Sequence, residues 1–209
     1  MTSLARFLAV MFAAAALSGC AAISALTDAS TPLEVYELRS PVDITPRQGR
    51  TLPLDVIVEL PTSSGTLETD RIMIRPNALQ AQYLPEVRWS DATPVMVQNL
   101  MLRAVEATSA VRYVGRKPLG LSGDYAVVTE LLDFHAEVGA DGETAVIQQR
   151  MIVRLVRERD ASIVASRTFK ASAVSPTLDT PDLVAAFDVA SNQLFTQFAD
   201  WIVTALSAR

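Results

Sequence analysis

The sequence predicts an α+β fold, a mixed and mainly antiparallel sheet that ends in a three-stranded meander and is packed by two amphipathic helices on one face. Three observations predict it. Long β-type segments run in series at 124–138, 144–158 and 162–174, separated by the hairpin-length turns 139–142 and 159–161. Two other segments, near 94–108 and 180–206, repeat apolar residues at helical spacing. In the middle β segment Ala145, Ile147, Met151, Val153 and Leu155 share one face. Gln148, Arg150, Arg154 and Glu158 share the other with Val146, Ile152 and Val156, as in a sheet covered on one side only.

The chain begins with a secretion signal. Arg6 supplies a positive start, and Phe7–Leu17 is an uninterrupted apolar run of 11 residues. That is short of the roughly 20 residues a spanning helix needs, but it suits a signal-peptide core. The run ends in Leu17-Ser18-Gly19-Cys20, which resembles a bacterial lipobox. Small side chains at Ser18 and Gly19 let a peptidase reach the backbone. The thiol of Cys20, the only cysteine in the chain, is the nucleophile that accepts a diacylglyceryl group before cleavage. Each buried acyl CH₂ contributes about 0.8 kcal/mol, so two or three chains make an effectively permanent anchor. The next residue is Ala21 rather than Asp, which by analogy with lipoprotein sorting points to the outer membrane. The expected organisation is therefore a signal peptide at 1–19, a flexible tether at 20–32 charged only at Asp28, and one domain at 33–206.

Within the domain, 34–39 is expected as a first strand. Residues 51–60 form a second, with Pro53 placing its start at an edge, and Pro61–Gly65 breaks it. Asp70–Arg75 is a short strand ended by Pro76 and Asn77. Ser90 or Asp91 is expected to cap the first helix, with Pro94 in its first turn and Val97, Leu100, Met101, Ala104, Val105 and Thr108 on its apolar face. A short strand at 111–114 and a Gly/Pro turn at 115–123 lead into the meander. Thr180-Pro181-Asp182 opens the second helix, with Thr180 as N-cap. Leu183, Phe187, Ala190, Leu194, Phe198, Trp201 and Ala205 make its stripe over a length of about 40 Å.

Composition excludes several classes of function. Half of the 209 residues are apolar (50%), but much of that excess lies in the leader and is not core. The formal net charge of −5, with no dense basic stretch, argues against nucleic-acid binding. One Cys and one His leave no zinc or disulfide framework within a single chain. There is no phosphate-binding glycine loop, and Ser63-Ser64-Gly65 and Leu121-Ser122-Gly123 are turns rather than nucleophile elbows. His135 is the sole histidine. In an unbroken strand Asp133 and Glu137 would share its face and Glu130 would point the other way, which reads as a solvated strand face rather than a catalytic dyad. No enzyme, cofactor or metal is expected. Arg150 and Arg154 share parity, so they form either a basic stripe for an acidic partner or lipid headgroup, or a solvated face with cross-strand pairs.

Several features in register resemble the ABC-type transport auxiliary lipoprotein family, the PqiC-like group. They are the lipobox, Val35-Tyr36-Glu37-Leu38, Arg71–Pro76, Tyr83 followed by Arg88-Trp89-Ser90-Asp91 at a helix start, Tyr125–Phe134, the meander and the terminal helix. Val35 stands where family members often carry a second aromatic. The resemblance implies a non-enzymatic lipoprotein on the periplasmic side of the envelope. It implies as partners an MCE-domain protein and the permease of an ABC complex that moves phospholipid or other apolar molecules, with the ATPase reached only indirectly. The candidate partner surface is Tyr36, Tyr83, Arg88, Trp89, Arg150 and Arg154. A homo-oligomer is left open. The alternative is an outer-membrane assembly or envelope-structural lipoprotein with a TolB-N-terminal-like domain.

Overall fold

The computed structural model describes residues 33–208. In chain order its elements are β1 (Glu34–Tyr36), β2 (Leu52–Val58), β3 (Thr62–Ser63), β4 (Met73–Asn77), β5 (Gln80–Tyr83) and β6 (Val87–Trp89). Then come α1 (Thr93–Ala107), β7 (Val111–Gly115), β8 (Tyr125–Val138), β9 (Ala145–Arg157), β10 (Ser162–Ser175) and α2 (Thr180–Ser207).

β8 is the spine of an eight-stranded sheet. One flank carries β9 antiparallel over its full length, from Tyr125 opposite Arg157 to Val138 opposite Ala145, and β10 pairs antiparallel beyond it. The other flank is shared by three short parallel strands in succession: β2 opposite residues 125–127, β3 opposite Glu130 and Leu131, and β4 opposite Ala136 and Glu137. β7 closes that side parallel to β2, and β5 folds back on β4. β1 and β6 form a separate two-stranded ribbon. The α+β class and the meander are as expected from the sequence.

Strict alternation of inward residues is confined to the central strand of the meander. Along β9 every second residue from Ala145 to Leu155 is buried and every other one is half-buried. Gln149 is the polar member of the inward set. Its amide donates to Ser191 Oγ (2.8 Å) and to the Phe187 carbonyl (3.2 Å), so α2 satisfies a group that would otherwise be costly to bury. Both helices lay their apolar stripes on this inner face. From α1 come Val97, Leu100, Met101, Ala104 and Val105; from α2 come Leu183, Phe187, Ala190, Leu194, Phe198 and Ile202. Two aromatic clusters anchor α2. Phe187 stacks on Phe134 (5.4 Å) and meets Trp89 edge-on (5.3 Å), while Phe169 meets Phe198 (6.0 Å) and Trp201 (5.5 Å).

Several local expectations are corrected. Neither Ser90 nor Asp91 caps α1: the N-cap is Ala92, and Thr93 is tied by its N–H (2.9 Å) and its hydroxyl (3.0 Å) to the Thr69 carbonyl. The N-cap of α2 is Asp179, one residue before Thr180. The Thr177 hydroxyl accepts the Asp179 N–H (3.1 Å) and donates to Asp182 (2.7 Å), bracing the first turn from outside. Pro53 stands at the start of β2, which is open on its β8 side as expected, although from Val56 onward β2 lies between β7 and β8. It is tolerated because the β7 register shifts between Leu52 and Asp55 and β8 pairs only from Val56 onward. Pro76 does not end β4; it sits in the register shift between Ile74 and Asn77. β3, β5 and β6 are only two to four residues long, too short for periodicity to find them.

Candidate interaction surfaces

Cys20 and the lipobox residues Leu17, Ser18 and Gly19 lie outside the described residues. The chain that follows β1 is a strap with no regular structure, residues 37–51, laid across both helices. Leu38 and Pro41 are buried beneath it. Arg39 grips Asp188 of α2 with its backbone N–H (2.9 Å to Oδ1) and its guanidinium (Nε to Oδ2, 2.9 Å). One helical turn on, Asn192 accepts the Val42 N–H (2.9 Å) and donates to Asp43. Arg103 of α1 donates to Ser40 Oγ (3.1 Å) and faces Glu37 at 3.9 Å. The Arg47 N–H then bonds the Thr108 carbonyl (2.7 Å) just past the end of α1. Asp188 and Asn192 are four residues apart and so project from one face of α2. Sequence reading missed this strap; its only signal is a proline-punctuated polar stretch without periodicity.

The outer face of the meander is set by one irregularity. The β8–β9 register shifts between Leu131 and Asp133, so Leu132 is an extra residue and parity inverts there. An unbroken strand would send Glu130 away from Asp133 and His135. The bulge puts all three, with Glu137, on the same face. There Arg150 Nε meets Asp133 Oδ2 at 2.6 Å and Arg154 meets Glu130 at 3.6 Å. Arg150 and Arg154 are thus held in a charge-paired ladder across β8 and β9, and these two carboxylates serve as ion-pair partners rather than as an acid–base dyad. His135 is buried beside Gln148 and Arg75. Burial, reinforced by Arg75, pushes its imidazole below the ordinary 6.5, while Asp133 and Glu137 pull the other way. His135 is neutral near pH 7.

The remaining candidate residues are not brought to one surface. Trp89, 1% exposed, is part of the core against Phe134 and Phe187. Its neighbour Arg88 turns outward to Asp70 (3.1 Å), as period-two alternation on β6 requires. Tyr83, at the end of β5, is partly exposed and its hydroxyl donates to the Thr66 carbonyl (3.0 Å). Tyr36 is half-buried against the core, and its carbonyl accepts the Ser90 N–H (2.8 Å). Among the described residues no three His, Cys, Asp or Glu side chains group to hold a metal ion. No described helix is long and apolar enough to cross a membrane.

A curled mixed sheet with both helices on its inner face, crossed by a strap that follows β1, defines an α+β domain. A family model of the ABC-type transport auxiliary lipoprotein component matches residues 36–199, well over half of the chain, and the chain belongs to that family. That family is an auxiliary transport component and not a known enzyme family. A curated relative, the uncharacterized protein bll6063 of Bradyrhizobium diazoefficiens, is 27% identical over 195 residues, which is 89% of this chain and 50% of the relative. The chain thus spans about half the length of the curated relative it matches. Among solved structures, protein XCC0632 of Xanthomonas campestris superposes with a TM-score of 0.75 at 22% identity, covering 83% of this chain and 97% of that one. The hypothetical protein CT253 of Chlamydia trachomatis gives 0.50 at 13% identity, covering 75% and 99%. Both likenesses concern the fold alone.

Proposed function

We propose that this chain is a lipid-anchored accessory component of an MCE-type ABC transport system, acting on the periplasmic side of the envelope at the outer membrane. In this reading residues 1–19 are removed, Cys20 carries the acyl chains, residues 20–32 are the tether and 33–206 the working domain. The family supports the auxiliary role, and the carrying observation is the strap. A domain held by its N-terminus takes any pull on the tether first at β1, which pairs with β6, and next at the strap that follows it. The strap is fastened to both helices, to α2 through Asp188 and Asn192 and to α1 through Arg103. Load that passes β1 therefore reaches the helical layer and the core beneath it. The cytoplasmic ATPase supplies the energy, so this domain contributes attachment and contact to the transported apolar molecule's route.

The test is crosslinking in the native host followed by mass spectrometry of co-purified proteins, with Cys20→Ala as the paired control. Recovery of an MCE protein or its permease, reduced when Cys20 is replaced, supports the reading. Recovery of barrel-assembly or cell-wall proteins alone overturns it in favour of an envelope-structural lipoprotein.

A further inference from the structure

The connection between β7 and β8 carries an unusual surface. β7 and β8 run parallel to β2 on opposite sides, so residues 116–124 must pass from one side of β2 to the other. Both roots of this loop are pinned. Arg116 donates to Gln98 Oε1 (3.2 Å) and to Asn99 on α1, and the Tyr113 hydroxyl donates to the Lys117 carbonyl (2.8 Å). At the far root the Gly123 N–H donates to the Glu158 carboxylate (2.7 Å) and the Asp124 N–H to the Asp55 carbonyl (2.8 Å). Gly123 lies so close to β2 that a Cβ there would meet Ile57 Cγ1 at 2.8 Å. Between the pins the tip Lys117-Pro118-Leu119-Gly120-Leu121 projects, with Leu119 74% and Leu121 105% exposed.

A rooted loop that holds two leucines in water forgoes the burial energy of both side chains. Isolated exposed leucines are ordinary, but these two are spaced by one glycine and follow directly on two cations, Arg116 and Lys117. No acidic residue occurs between Glu106 and Asp124. Apolar tip and basic shoulder together match the boundary between anionic headgroups and acyl chains.

We propose that this tip inserts into the lipid surface, Leu119 and Leu121 entering the acyl boundary and Lys117 with Arg116 meeting anionic headgroups. The proposal rests on the reading that the chain is anchored through Cys20. Two leucines and two cations would hold a free domain only weakly, but the anchor makes insertion intramolecular, so weak contacts suffice to orient the domain. The tip then fixes which pole faces the bilayer. Leu79, at the tip of the β4–β5 hairpin, is as exposed at 99%, but β4 pairs at the far end of β8, about 35 Å along the strand from Tyr125. With the 119–121 tip inserted, Leu79 points away from the membrane.

The test uses the full lipidated chain in vesicles of three parts phosphatidylethanolamine to one part phosphatidylglycerol. Leu121→Cys and, separately, Leu79→Cys receive the environment-sensitive fluorophore NBD, which labels only the new thiol because lipidation consumes that of Cys20. Flotation reports the anchor and the fluorophore reports the tip. The expected result is blue-shifted emission from position 121, shielded from iodide and quenched by nitroxide-bearing lipids, with position 79 solvated. Lys117→Glu should lower the inserted-to-free ratio at position 121 roughly tenfold or more. A chain that floats with position 121 solvated refutes the tip alone, and one that does not float refutes the anchor and the tip with it. A position-121 label shielded from iodide but untouched by nitroxide lipids is buried in protein, and also overturns the proposal.

Discussion

Removing the ring of Phe187 tests whether the helical layer is held to the sheet by the cluster it forms with Trp89 and Phe134. Phe187 is fully buried on α2, stacked on Phe134 of β8 and edge-on to Trp89 of β6, so it joins three elements distant in sequence. Phe187→Ala removes the transfer energy of a buried ring and leaves a cavity that stiff neighbours cannot collapse around, a loss of about 4 kcal/mol. At roughly 2–4 °C per kcal/mol for a domain of this size, the melting point falls by about 8–16 °C. Phe187→Leu keeps most of the volume and loses the two ring contacts, each about 0.5–1.5 kcal/mol, so it costs about 1–3 kcal/mol. Val189→Ala, two residues on and solvent-facing, stays within about 0.5 kcal/mol. The assay is urea unfolding of the detergent-solubilised chain followed by tryptophan fluorescence, with near-ultraviolet circular dichroism for the melt. A loss under about 1.5 kcal/mol for Phe187→Ala, or equal losses for the Ala and Leu variants, would refute the cluster as the tie.

Three further outcomes follow from local geometry. Because burial lowers the His135 pKa from 6.5, its neutral form belongs to the folded state; stability is full above 6.5 and declines as pH falls through 6.5 toward the folded value. His135→Gln should flatten that decline in denaturant midpoints taken from pH 7.5 to about 5, and an unchanged slope would count against it. Asp141 closes the β8–β9 turn by accepting the N–H groups of Glu143 (3.0 Å) and Thr144 (3.0 Å), and those bonds hold its carboxyl below the ordinary 3.8. Asp141→Ala should raise hydrogen exchange at Thr144 without altering α2, whereas unchanged exchange would show that Gly142, at φ +70°, makes the turn alone. Ala161, in the β9–β10 turn, has φ +52°, where a Cβ is strained, so Ala161→Gly should raise stability by about 1 kcal/mol in the same unfolding assay.

Much of this molecule was legible in the chain itself. The meander strands, both helices and the inward stripes are local patterns with strong periods, and burial of one apolar face leaves them little alternative. Gly142 and the prolines Pro94 and Pro181 mark a turn and two helix starts through backbone constraints that act within a few residues. What tertiary structure decided was everything set by pairing between distant segments. Thr93 needs no side-chain cap because the Thr69 carbonyl, brought from outside the helix, takes its N–H. Pro53 can stand at the start of β2 because neither neighbour pairs regularly there. The sharpest case is the face of β8. Parity alone separates Glu130 from Asp133 and His135, and one extra residue at Leu132 reverses it, so two arginines of β9 find two carboxylates of β8. The strap and the pinned 116–124 loop belong to the same class. Periodicity records which side of an element is apolar; contacts between aperiodic segments depend on where the finished core leaves room for them.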